Sequence, residues 1–251
     1  MIWITGDCHS KFHKFNQASF PEQKEMCRDD YVIICGDFGG IWALQGESKE
    51  EKYWLDWLED KSYTTLFVDG NHENSNRLNA YPEKEWHGGL VHEIRPHVLH
   101  LMRGQVFDIN GKKIFAFGGA RSHDIEGGIL ELDDPDIIKK KRMLDKDGVC
   151  YRVNQLNWWP EEMPNGKEMA TGLLNLEKHN HKVDFIVTHD CPASTLALLG
   201  HGYYKPDELN TYFEKIRSEV DYTRWFFGHY HFDQYINEKD IVIFDQIVRI
   251  A

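Results

Sequence analysis

Met1-Ile2-Trp3-Ile4-Thr5-Gly6-Asp7-Cys8-His9 runs a short apolar strand directly into two side chains of metal-ligand type. Four later stretches repeat the device. Residues 31–35 lead into Gly36-Asp37-Phe38-Gly39, and residues 65–68 into Asp69-Gly70-Asn71-His72-Glu73. Phe185–Thr188 leads into His189, and residues 225–227 into Gly228-His229-Tyr230-His231. Each stretch is rich in β-branched or aromatic residues and lacks clean alternation, the pattern of a strand covered on both faces. In open α/β sheets ligands bind beyond the carboxyl ends of strands. Five clusters remote in sequence are therefore expected to meet in space.

Between these strands the sequence predicts helices. Ser48-Lys49-Glu50-Glu51 has the capping-box pattern, with Trp54, Trp57 and Leu58 following at helical spacing. Asp207 caps a segment whose apolar stripe is Leu209, Tyr212, Phe213, Ile216 and Val220. A third helix is expected over residues 167–178. Residues 90–95, 98–102, 105–109 and 113–117 read as consecutive strands of a meander, with Asn110-Gly111 a type I′ hairpin signal. Residues 234–236 and 241–250 read as a last antiparallel pair turning at 237–240. Two sheets packed face to face with helices outside, an α/β (α+β) architecture, follow from this order. With no repeat, low-complexity run or linker, residues 1–251 are expected to form one domain.

Residues 122–159 are the least regular part. Asp133-Asp134-Pro135-Asp136 is expected to open a helix through Lys139-Lys140-Lys141-Arg142, and that basic run reads as a solvated face. An insertion of this length beside a site can act as a lid.

Composition narrows the class. The net charge is −12 over 251 residues, which argues against non-specific nucleic-acid binding and gives no strong sign of nucleic acid as a partner. A local phosphate-bearing substrate stays compatible, because bound cations invert the local field. No stretch is apolar enough to span a bilayer. The five Cys, at positions 8, 27, 35, 150 and 191, show neither Cys-x-x-Cys spacing nor disulfide-scaffold density. Reduced thiols and a cytoplasmic location are expected. The N-terminus lacks a basic start and cleavage site and is expected to belong to the mature chain.

Asp7 and His9, one residue apart on extended backbone, project the same way, which turns Cys8 toward packing. Asp37 follows Gly36, where backbone can approach an ion, and its carboxylate can bridge two metals. Asn71 offers an amide oxygen; His189, His229 and His231 offer nitrogen. Oxygen and imidazole donors in that number suit two borderline divalent cations held close together.

The ordered set Asp-x-His, Gly-Asp-x-Gly, Gly-Asn-His-Glu, a strand-ending His and Gly-His-x-His resembles the calcineurin-like metallophosphoesterase superfamily, especially its compact bacterial and phage-type members. The resemblance spans Asp7 to His231 and implies a four-layer α-β-β-α sandwich with two mixed sheets. It implies one metal on Asp7, His9, Asp37 and His231, and a second on Asp37, Asn71, His189 and His229. Asp37 is then the bridge, and His72 a catalytic residue contacting the scissile phosphate. Gly36, Gly39, Gly70 and Gly228 would serve the tight turns around the ions.

The implied activity is hydrolysis of a phosphomonoester or phosphodiester by attack of a metal-bridging hydroxide. The ions are drawn from Mn, Fe, Zn or Co, with Mn favoured. Arg121 and His123, in a loop after Gly118-Gly119, are candidate substrate contacts. Trp42, Tyr203 and Tyr204 are candidates for stacking on a base, though packing is the simpler reading. Two alternatives stand beside this one. Serine/threonine protein phosphatases carry Gly-Asp-x-x-Asp-Arg-Gly, but Gly40 and Ile41 occupy the Asp and Arg places here, leaving Arg77 or Arg121 to substitute. A non-catalytic metal-binding scaffold is the other, and the presence of His72 with every ligand argues against it.

Overall fold

Strand β1 (Ile2–Thr5) is buried on both faces: Ile2 and Ile4 pack one way and Trp3 the other. That double burial sets the architecture around it. The computed structural model describes all residues, Met1–Ala251.

In the first sheet β1 lies parallel to β2 (Tyr31–Ile34), which is followed by β3 (Thr64–Phe67) and β6 (Val98–Leu101). Antiparallel β5 (Gly89–Arg95) and β4 (Glu83–Trp86) extend one edge, and β15 (Val248–Arg249) closes the other. The second sheet has a similar plan. Its parallel centre is β8 (Lys112–Phe117), β11 (Phe185–Thr188), β12 (Arg224–Phe227) and β14 (Asp240–Val242). β7 (Gln105–Ile109) and β13 (Gln234–Tyr235) pair antiparallel at its edges.

Ile4, Ile33, Leu66 and Val68 of the first sheet meet Ile114, Ala116, Val187 and Phe226 of the second in a buried apolar layer. Helix α1 (Lys49–Glu59) covers the outer face of the first sheet, with Leu55 and Leu58 against Val32, Ile34 and Phe67. Ser48 caps it and forms the capping box with Glu51. A short helix, α2 (Ser75–Leu78), follows β3. On the outer face of the second sheet, α4 (Gly166–Lys178) and α6 (Glu208–Glu219) place Leu176, Phe213 and Ile216 against Phe115, Ile186 and Trp225. The result is a mixed four-layer α-β-β-α sandwich. Asp207 caps α6, and Asn110 (φ 51°) with Gly111 (φ 74°) makes the expected hairpin turn.

Two expectations are corrected. The four central strands are not one meander: β5 and β6 pair in the first sheet, β7 and β8 in the second. The chain crosses between sheets at Met102-Arg103-Gly104. There Arg103 is held by Asp69 and Glu168, and Gly104 (φ 77°) leaves no room for a Cβ against Gly172. Residues 241–250 are likewise not one strand. After β14 the Asp233 carboxylate accepts the amides of Phe244, Asp245 and Gln246, and the chain crosses to end as β15 beside β1. Hydrophobic period marks a strand but not the sheet it joins.

The segment expected to be irregular carries a two-stranded parallel ribbon, β9 (Ile129–Leu130) and β10 (Arg152–Val153), around helix α3 (Ile137–Asp147). Helix α3 buries none of its residues, and its basic run is a solvated face.

Candidate metal centre

The carboxyl ends of β1, β2 and β3 in one sheet and of β11 and β12 in the other converge, and the loops after them bring the expected residues together. Local backbone pays for the convergence. His9 (φ 45°), Asp37 (φ 44°), His229 (φ 69°) and His231 (φ 56°) all adopt the left-handed region. Non-glycine residues there cost on the order of 1–3 kcal/mol each and collect at functional sites. Glycine supplies the close approach. A Cβ on Gly228 would stand 2.1 Å from Asp7 Oδ1, and one on Gly70 would stand 2.0 Å from Asp37 Oδ1.

Asp7, His9, Asp37 and His231 present ligand-type atoms that all lie within 4.8 Å of one another. Asp7 Oδ2 is buried and accepts no hydrogen bond of good geometry, although His231 Nε2 lies at 3.0 Å and His9 Nε2 at 3.6 Å. Its partner oxygen, Oδ1, accepts the His229 amide at 3.0 Å. A second group adjoins the first. His189 Nε2 lies 3.3 Å from Asp37 Oδ1 and 3.3 Å from Asn71 Oδ1. His189 Nδ1 donates to the Cys35 carbonyl at 2.8 Å, which turns Nε2 into the cluster. The His229 ring sits 4.9 Å from that of His189. Asp37 is common to both groups, with Oδ2 3.5 Å from His9 Nε2 and Oδ1 on the His189 side.

The electrostatics call for positive charge. Burial alone would raise the Asp7 and Asp37 carboxyls, but the His189 imidazole and its neighbours hold both well below the usual carboxylate range. Burial would lower His189, yet Asp37 and Asp7 outweigh it and lift the ring to about 10. Two buried carboxylates thus keep the nearest imidazole charged, a charge that cations between them would supply instead. The orphaned Asp7 oxygen, the glycine cradles and the mixed oxygen and nitrogen donors fit a pair of divalent ions.

His72 flanks the cluster. Its amide donates to Asp37 Oδ1 at 2.8 Å, its ring lies 4.9 Å from that of His9, and Trp42 stacks beside it at 5.9 Å. Burial lowers the His72 pKa, and Asp37 opposes that only in part. Arg152, which the sequence reading did not single out, brings Nη2 to 3.4 Å from His72 Nε2 while pairing with Asp124. Ribbon strand β10 carries it across 80 positions of chain, a contact that leaves no local signal.

His123 is exposed, with its ring 4.1 Å from that of His229. Arg121 lines the same cavity of about 220 Å³, but its guanidinium is engaged by Asp207 at 3.2 Å and Glu208 at 3.4 Å. Tyr203 and Tyr204 line that cavity too. Arg77 does not stand in for a phosphatase arginine: its Nη1 is held at 2.8 Å by Glu51 and also binds the Ala43 carbonyl. Ile41 is buried core and Cys8 packs in the same apolar cluster.

With this geometry in place, comparison with known proteins identifies the family. The model for the calcineurin-like phosphoesterases matches residues 1–233, and the chain belongs to that family, a family of phosphoester hydrolases that use a dinuclear divalent metal centre. It is similar to the lariat debranching enzyme of Danio rerio, 23% identical over 207 residues that cover 76% of this chain and 31% of that protein. Lariat debranching enzyme A of Xenopus laevis is 28% identical over 209 residues, covering 77% of this chain and 33% of that protein. The lariat debranching enzyme of Drosophila melanogaster is 24% identical over 208 residues, covering 76% and 33%. The chain spans about a third of the length of these curated relatives. No helix is long and apolar enough to cross a membrane.

Proposed function

We propose that this chain hydrolyses a phosphoester, with a diester favoured, at a two-ion centre held by seven side chains. Asp7, His9, Asp37 and His231 hold one ion; Asp37, Asn71, His189 and His229 hold the other. The observation that carries this reading is the placement of Asp37, whose two oxygens face His9 at 3.5 Å and His189 at 3.3 Å. When bound, the ions supply the activated water and the positive charge that phosphoryl oxygens require. Manganese is the favoured occupant.

The chain's own residues do the rest. His72 stabilises the departing oxygen or donates a proton to it. Its Nε2 lies 3.4 Å from Arg152 Nη2, a donor, so that nitrogen carries a proton only once Arg152 has moved off it. Arg152 lies beside that atom, so a phosphoryl group entering the site competes with Asp124 for the guanidinium and draws it off His72. Through β10 the 122–159 segment thereby brings Arg152 to the substrate. His123 and the cavity with Tyr204 accept the group attached to phosphorus. The name of the relatives, lariat debranching enzyme, supports the diester over the monoester. Five unpaired cysteines suit a reducing, cytoplasmic setting.

The test is a manganese-loaded panel of bis-nitrophenyl phosphate, nitrophenyl phosphate, nucleotides, cyclic nucleotides and phosphopeptides. Metal-dependent turnover with the diester ahead is expected. A phosphopeptide preference would restore the protein-phosphatase reading, which the engagement of Arg77 and Arg121 elsewhere disfavours. No turnover with any divalent ion would leave a binding scaffold.

A further inference from the structure

Asn71 has one face toward the ion site and the other toward a buried pair outside it. Its Nδ2 donates to Ser122 Oγ at 3.2 Å. The Ser122 hydroxyl in turn donates to Glu162 Oε2 at 2.6 Å, and the Ser122 amide donates to Glu162 Oε1 at 3.0 Å. All three are deeply buried, Asn71 at 7%, Ser122 at 3% and Glu162 at 3% exposure. Ser122 follows β8, whereas Glu162 sits on the 3-10 turn Pro160–Glu162, beyond the 122–159 segment.

We propose that Ser122, oriented by Glu162, is the positioning residue that fixes the Asn71 amide with its oxygen toward the ion site. An amide is nearly symmetric in shape, so packing alone does not choose between its two flips. One flip offers Oδ1, now 3.3 Å from His189 Nε2. The other offers an NH2 group, which repels a cation.

Ser122 makes the choice because its hydroxyl has a single proton. Glu162 takes that proton, so only lone pairs face Asn71, and they accept from Nδ2 but give nothing to Oδ1. A buried carboxyl is costly to keep. Here both Glu162 oxygens are used to hold one serine in one polarity. Such outer partners commonly alter metal affinity or activity by about 10–100-fold when removed.

The inference rests on the two-ion reading above, and its test separates the two. Manganese is titrated calorimetrically into the metal-free full chain, wild type, S122A and E162Q, with thermal melts of each metal-free protein. Wild type is expected to bind two ions. Both variants are expected to weaken one ion about 10–100-fold and leave the other unchanged. In E162Q the carboxamide oxygen keeps the Ser122 amide, and its NH2 donates to Ser122 Oγ. That donation frees the serine proton to turn toward Asn71. Unchanged affinity for both ions in the variants overturns the inference alone. Equal weakening of both ions with a lowered melting temperature marks a merely structural role and also overturns it. A wild-type chain that binds fewer than two ions overturns the reading of the site and the inference together. Should S122A fail to fold, E162Q decides by the same criteria.

Discussion

His9 Nε2 and His231 Nε2 lie 2.9 Å apart although the residues are separated by 222 positions. Both nitrogens also face Asp7 Oδ2. Two imidazole nitrogens and a buried carboxylate oxygen converging from opposite ends of the chain make a donor set waiting on positive charge. The first and last motifs therefore depend on each other through the fold.

Asp37 is the shared member of the two groups, so its charge matters twice. Asp37→Asn is expected to abolish turnover and weaken retention of both ions. Elemental analysis after dialysis, beside a diesterase assay, checks this. Near-normal activity would remove Asp37 as the bridge.

The His72 ring lies 4.9 Å from that of His9, and its Nε2 lies 3.4 Å from Arg152 Nη2. His72→Asn is expected to lower kcat by about 10²–10⁴-fold, the usual worth of a general acid, while metal content stays unchanged. Loss of metal in this variant would assign His72 to positioning the ligands. Arg152→Ala is expected to raise KM more than it lowers kcat, and the opposite split would contradict its contact with the substrate.

Gly70→Ala places a Cβ 2.0 Å from Asp37 Oδ1 and 2.8 Å from His189 Nε2. It is expected to cost about 1–3 kcal/mol as an overpacked site and to impair metal binding. Gly166, at the start of α4, has nothing within 4 Å of an added Cβ. Gly166→Ala is expected to stabilise by about 0.4–1 kcal/mol. Urea midpoints of the two variants make the comparison.

Acid should unfold the protein in two stages through the buried group beside β3. Burial, with His100 adding to it, pushes His92 from 6.5 down to about 4. The unfolded chain takes up that proton first, so stability falls as pH drops from about 6.5 toward 4. Burial would raise Asp69, but Arg103 and His100 hold it below the usual range. Its contribution is present above the ordinary carboxylate pKa and is lost as pH falls further. His92→Gln is expected to flatten the first stage, read from urea midpoints at pH 7 and 4.5. An unchanged slope would show that His92 titrates normally.

Much of this was legible in the sequence, for reasons of local physics. Strand ends, the Ser48 and Asp207 caps and the Asn110-Gly111 turn depend on neighbours within a few residues. The candidate ligand residues stand out in the sequence because each lies within a few positions of a strand's carboxyl end, and parallel strands align their ends. Sheet membership was not legible, since β5–β6 and β7–β8 carry the same period and differ only in where Gly104 sends the chain. Arg152, Ser122 and Glu162 were missed because their partners lie tens of positions away and impose no pattern. Arg121 was expected to favour a phosphate oxygen, but the acids at the start of α6 engage it.

The central claim is a pair of ions astride Asp37, and anomalous diffraction from manganese-soaked crystals tests it most directly. Two peaks about 3.5–4 Å apart are expected, one beside His9 and His231 and the other beside Asn71, His189 and His229. Peaks that avoid these side chains, or one peak at full manganese loading, would contradict the account.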